Sequence, residues 1–219
     1  MSSVVSTEHR DEPTRFSDRY KEYVRSNFIT LQTLAANVGV RSETIEDLAS
    51  RKMLPDPTYT FEDGTKWYPN CYAALLKEAR SEGLSFADYF RKLMFSIVER
   101  LTPDELSTFA SEENTARDDT NRLVEIVWEE FRDGGYGACL KSPNPKTVVQ
   151  KALLVAGIKR LLALPREADP QWETSLRSKV NALDKLELPF AEYDRMVYGS
   201  TTRDRLITNV KEKYPHIFA

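Results

Sequence analysis

Eight residues, Gly134-Gly135-Tyr136-Gly137-Ala138-Cys139-Leu140-Lys141, gather a phenol, a thiol and an amine around three glycines. Glycine leaves backbone amides accessible, so this segment is the first place to look for chemistry. Tyr136, Cys139 and Lys141 are its candidate catalytic residues. The segment lacks Gly-Lys-Ser/Thr and any strand-to-helix Gly-x-Gly-x-x-Gly context, which excludes a phosphate loop. Lys151 follows in an apolar run, where burial would depress its pKa toward base or Schiff-base chemistry. The ordinary alternatives are a linker that simply packs Cys139 and a lysine that reaches past its neighbours into water.

Other chemistries find fewer residues. The chain has two histidines, His9 in a polar N-terminal stretch and His216 near the other end, with no partner placed beside either. A histidine-centred triad or metal centre is therefore not expected. Cys71 and Cys139 are far apart and have no neighbouring Cys or His; this excludes the familiar zinc spacings and a disulfide framework. Glu125 and Glu129 lie one helical turn apart, and Glu112/Glu113, Asp118/Asp119 and Glu129/Glu130 are acidic pairs. Such pairs normally mark a solvated helix face, and no role is assigned to them. No cofactor is implied.

These residues sit in 219 residues of which 41% are hydrophobic, enough to bury a core. Thirty-one basic residues face 34 acidic ones, so no overall field favours nucleic acid or an anionic membrane. No apolar run reaches the ~18 residues of a spanning helix, and the first fifteen residues lack the apolar stretch of a signal peptide. Unpaired cysteines fit a reducing, cytoplasmic setting.

The periodicity predicts a mainly α protein. Residues 1–12 are polar and aperiodic, with structure beginning near Thr14. From Arg15 to Phe28, Phe16, Tyr20, Tyr23, Val24 and Phe28 form an aromatic helix stripe. Thr30 caps a helix through Asn37 that Gly39 closes, and Ser42 caps a second helix to about Lys52. Tyr59 to Phe61 and Lys66 to Tyr68 read as a two-stranded wing around Glu62-Asp63-Gly64-Thr65. Helices are then expected over 69–81 with Pro69 first, 86–101 after Ser85, 103–110 after Thr102, and 115–133. Gly134 or Gly135 closes the last of these. Further helices are expected over 145–164 from Asn144-Pro145, 170–186 and 201–213. Trp67, Trp128 and Trp172 fit core stripes. The organisation expected is a tail (1–12), a winged helix-turn-helix module (13–84) and a compact helical bundle (85–219).

Between Thr30 and Tyr68 the order Leu34-Ala35, Gly39-Val40, Thr44-Ile45, Met53-Leu54-Pro55 and Asp63-Gly64-Thr65-Lys66-Trp67-Tyr68 resembles the DNA-binding part of mercury-resistance-type (MerR) regulators. That resemblance implies a transcription regulator, a dimer by two-fold symmetry, contacting DNA through Arg41, Arg51, Lys52 and Lys66. The departures are electrostatic. Glu46 and Asp47 stand where the family has Arg and Tyr, and residues 30–69 hold four basic against six acidic side chains, which repels phosphate.

Over its whole length the chain resembles an uncharacterised bacterial family of natural-product biosynthesis proteins. The carrying residues are the Tyr-x-x-x-Asn-Phe-x-Thr-Leu-x-x-Leu pattern from Tyr23 to Leu34, Leu-Pro-x-Pro-x-Tyr from Leu54 to Tyr59, and Gly135 to Lys141 followed by Lys151-Ala152-Leu153-Leu154-Val155-Ala156. That resemblance implies a pathway protein that binds a small molecule or a partner enzyme, with a tailoring reaction of unspecified type. It supplies no catalytic residues.

Overall fold

A computed structural model of the chain describes residues 17–113, 115, 119–166 and 169–219, except the side chains of Glu192 and Tyr198. The expected tail, the onset at Thr14 and Arg15, and Phe16, His9 and Asp118 lie outside the described residues.

Helix starts follow side-chain chemistry closely. Ser17 caps α1 (Asp18–Asn27) by accepting from Tyr20 N–H, and Thr30 caps α2 (Leu31–Val38) through Thr33 N–H. Gly39 ends α2 at φ 74°, a left-handed conformation that a residue with a Cβ adopts only under strain. The next helix, α3 (Ser42–Ser50), corrects the expected cap. Arg41 takes that position without a side-chain hydrogen bond, and Ser42 is already helical. Its end falls short of Lys52, which turns left-handed at φ 58°.

The sheet has three strands where two were expected. Phe28, expected to finish the first helix, begins β1 (Phe28–Thr30), which pairs antiparallel with β3 (Lys66–Pro69); β3 in turn pairs with β2 (Tyr59–Thr60). The order is β1-β3-β2. Aromatic and β-branched residues at 28–30 suit a pleated, half-buried surface. Pro69, expected at a helix start, closes β3 opposite Phe28. Its missing N–H is tolerated at the end of a strand, and α4 begins later (Tyr72–Ser81).

The rest is helical. Ser85 caps α5 (Phe86–Val98), and Thr102 with Glu105 makes a capping box for α6 (Pro103–Glu112). Asp119 caps α7 (Thr120–Arg132), so the helix starts later than 115. Asn144 and Pro145 open α8 (Pro145–Ala163), and Asp169 caps α9 (Pro170–Leu186). The helix expected over 201–213 is present but includes a π-helical stretch (Asp204–Thr208) leading into α11 (Asn209–Lys213), and α10 (Glu192–Tyr198) and α12 (Pro215–Phe218) were not expected.

The largest apolar cluster runs from Leu34, Ile45 and Tyr72 through Phe90, Trp128 and Phe131 to Val148. The core thus crosses residue 84, where a module boundary was expected. Trp67, Trp128 and Trp172 are all buried, as their stripes implied. The helix α8 packs against α5, α6 and α9; Pro145, Val148, Val149, Ala152, Val155 and Ile158 are its buried residues. Each large apolar side chain fully buried in this way contributes about 1.5–3 kcal/mol.

The glycine segment is a tight turn held from both sides. Gly134 takes φ 79° directly after α7. A Cβ on Gly137 would come within 2.3 Å of Thr58 Oγ1, so the turn approaches the segment before β2 more closely than any side chain permits. Gly137→Ala is expected to cost about 1–3 kcal/mol through overpacking, with Thr58→Ala restoring most of it. Urea denaturation of the two single variants, the double variant and the parent checks this. Equal losses with and without Thr58 would contradict it.

Candidate functional site

Positions 148, 151/152, 155 and 159 fall on one face of α8 and form the floor of a cleft of ≈ 450 Å³. Glu112 and Glu113 enter it from the end of α6, Glu130 from α7, Tyr136 from the glycine turn, and Arg205 and Leu206 from the π-helical stretch. A π-helical stretch rotates the residues after it relative to a regular helix, and such bulges concentrate at functional sites.

Tyr136 is the hub of the acidic end. Its buried ring packs near Phe131, with centroids 6.1 Å apart, and its hydroxyl lies 3.3 Å from both carboxylate oxygens of Glu113 and 3.4 Å from Glu130 Oε2. Burial first, and then the two carboxylates, hold the phenol well above the usual tyrosine range. It therefore remains a donor, with one proton for two acceptors. Gly135 allows the arrangement, because a Cβ there would stand 3.0 Å from Glu130 Cγ.

Glu113 is half-buried, and burial followed by the nearby Glu130 pushes its carboxyl up to about 7, against the opposing effects of Tyr136 and Lys151. Its place as the C-cap of α6 adds the negative end of a helix dipole, which also disfavours the ionised form. Glu130 stands at the mouth and is open to water. Its pKa is also raised, by desolvation on the protein side, and Tyr136 and Lys151 oppose the rise. A carboxyl group that holds its proton near neutrality can bind or transfer a proton at physiological pH. Both residues belong to acidic pairs expected on a solvated face. Glu129 and Glu130 keep the exposure expected of them, but Glu112 and Glu113 are half-buried and both line the cleft, which corrects the expectation for that pair. The signal missed was the coincidence of Glu113 and Glu130 with Tyr136, which no sequence spacing reveals.

Behind the floor lies a charged triad. Lys151 Nζ is 3.0 Å from Cys139 Sγ and 3.4 Å from Glu187 Oε1. Glu187 is fully buried. A short β-like pairing fixes it there: Leu140 opposes Glu187, Lys141 N–H donates to Leu186 O, and Leu188 N–H donates to Cys139 O. The expected depression of the Lys151 pKa is corrected. Burial, the largest effect, lowers it, but the Cys139 sulfur and then the Glu187 carboxylate together raise it further, so the net shift is upward and the amine stays an ammonium. Neutral-amine nucleophilic chemistry is not what this environment favours. The Cys139 thiol is raised by burial, with Lys151 opposing, which keeps it in the unreactive thiol form.

Of the sequence candidates, Tyr136, Cys139 and Lys151 are thus brought together, with Tyr136 and Lys151 lining the cleft and Cys139 behind it. Lys141 is not. Its amine donates to Asp184 O outside the cleft. His216 lies 3.6 Å from Glu173 on the exposed surface, and Glu125 is held by Arg91 at 2.6 Å. Among the described residues no group of three or more potential metal ligands occurs. Around α3 and β3, Arg51 pairs with Asp47 (3.4 Å), Lys52 with Asp56 (3.1 Å) and Lys66 with Glu46 (2.8 Å), while Arg41 is exposed at the start of α3. A second concavity of ≈ 280 Å³ between α2, α3, α4 and α5 is mainly apolar. No helix is long and apolar enough to cross a membrane among the described residues.

A family of unknown function, DUF6058, matches residues 86–215, and the chain belongs to that family. Every residue of the cleft and of the triad behind it falls inside the matched region, whereas α1 to α4 and the sheet precede it. No curated protein and no solved structure matches the chain.

The triad yields a direct test. Lys151→Met strands the Glu187 carboxylate in the interior and is expected to cost about 3–5 kcal/mol. Lys151→Met combined with Glu187→Leu, which removes both charges, is expected to be more stable than the single variant. Thermal and urea unfolding decide, and strictly additive losses would contradict the pairing.

Proposed function

We propose that the chain binds a small polar molecule in the cleft between α6, α7, α8 and the π-helical stretch, and that the family-matched region carries this activity. The carrying observation is the convergence of Glu113, Glu130 and Tyr136 from three separate elements on one concave site. A concave site with a few convergent polar groups and a perturbed pKa is the default binding site. The resemblance to natural-product biosynthesis proteins suggests a pathway intermediate as the ligand. The proton held by Glu113 gives the same cleft the means for acid–base work on it.

The regulator reading has less support. Three of the four basic residues that would meet DNA are already neutralised by carboxylates of their own module. Phosphate binding would have to displace those partners before releasing any counterions.

The test is a thermal-shift screen of a polar metabolite library, followed by calorimetric titration of hits against the parent and Tyr136→Phe. This substitution retains the ring and removes the hydroxyl. A loss of about tenfold or more in affinity, which corresponds to ~1.4 kcal/mol, is the expected result. Hits that bind Tyr136→Phe unchanged would contradict the reading. Salt-sensitive retention of duplex DNA by the parent would favour the regulator instead.

A further inference from the structure

Pairing off the charges in the cleft leaves a specific remainder. Lys159 Nζ is 2.7 Å from Glu112 Oε2 across the rim, and Lys151 is paired behind the floor with Glu187. Among the described residues, Glu113 and Glu130 then have no salt-bridge partner and share the Tyr136 hydroxyl as donor. On the π-helical stretch, Arg205 donates from Nε to the backbone oxygen of Thr201 and is paired with no carboxylate among the described residues. Val148, Ala152, Val155 and Leu206 supply apolar surface within the same cleft.

From this remainder we infer that the cleft takes a zwitterion of the amino-acid class, with its ammonium at Glu113 and Glu130 and its carboxylate at Arg205. The inference rests on the small-molecule reading above and names the class of ligand. The guanidinium matches a carboxylate with two parallel donors. Two carboxyl groups that share one phenol donor gain most from a cation, because an ammonium takes the place of the proton on Glu113 and supplies several donors where the phenol has one. The apolar floor accepts a hydrocarbon side chain, and ≈ 450 Å³ is ample for one amino acid or a short conjugate. Because the ammonium takes the place of a proton, binding releases a proton near neutrality and tightens as pH rises through that range. The titratable and charged groups facing Glu113 are Glu112, Glu130, Tyr136, Lys151, Lys159 and Arg205. Of the carboxyl groups among them, Glu112 is held by Lys159 and only Glu130 shares the Tyr136 proton with Glu113.

The experiment uses the full chain and the twenty proteinogenic amino acids in a thermal-shift screen, with phenethylamine and 3-phenylpropionate beside L-phenylalanine. The best binder is then titrated by calorimetry at pH 6 and pH 8 in buffers of differing ionisation enthalpy. The expected result is stabilisation by at least one amino acid, weaker or no binding of the amine-only and acid-only probes, and proton release on binding. Arg205→Ala and Glu113→Gln should each reduce affinity at least tenfold, Glu113→Gln also abolishing the proton release. An amine-only probe that binds as well as the zwitterion would overturn the inference, as would absence of proton release. If no amino acid binds while members of the broader metabolite library bind in a Tyr136-dependent way, the ligand class is wrong and the cleft reading survives. If neither set binds, both fall.

Discussion

The buried ammonium of Lys151 is the point on which the arrangement turns. It lies on the central helix α8, 3.0 Å from the Cys139 sulfur and 3.4 Å from the Glu187 carboxylate. An unpaired charge at that depth would cost several kcal/mol, so the lysine and the glutamate each require the other. Together with Cys139 the pair ties three segments: α8, the turn after α7, and the strand-like exit from α9. The β-like bonds between residues 139–141 and 186–188 repeat that tie in the backbone. With the turn pinned, Tyr136 has one place to go, and that place is the wall of the cleft.

The same pairing determines the electrostatics in front of it. Because Glu187 holds Lys151, the ammonium only partly offsets the desolvation of Glu113, and that carboxyl titrates near neutrality. The consequence for stability has a definite sign. A carboxyl whose pKa is raised from 4.5 to about 7 on folding binds its proton more tightly in the native state. It therefore adds stability that is fully present below about pH 4.5 and lost as pH rises to about 7. A native structure that gives up stability at neutral pH to keep this group poised is the pattern expected of a functional site rather than of a structural one.

Much of the fold was legible because helix ends announce themselves chemically. Ser85, Thr102-Pro103, Asn144-Pro145 and Gly39 mark the boundaries they imply, and α9 runs from Pro170 to Leu186 as its periodicity requires. What was not legible depends on tertiary pairing. Three residues, Phe28 to Thr30, are too few to show a period of two, and their strand exists only because β3 lies beside them. Tyr136, Cys139 and Lys151 could be singled out by residue type within one stretch of sequence. Glu113 and Glu130 could not, since each sits beside a second glutamate, and periodicity alone does not say which carboxyl groups reach the Tyr136 hydroxyl. The sign of the Lys151 shift was equally hidden, because its partner Glu187 is thirty-six residues away.

Site-resolved carbon-13 NMR of the glutamate side-chain carboxyls across pH 4 to 9, with Glu113→Gln for assignment, tests the central claim most directly. One carboxyl carbon, absent in Glu113→Gln, is expected to titrate with a midpoint near 7 and to move when Tyr136 is changed to Phe. Glutamate carboxyls that all titrate near 4.5, indifferent to Tyr136, would contradict the claim.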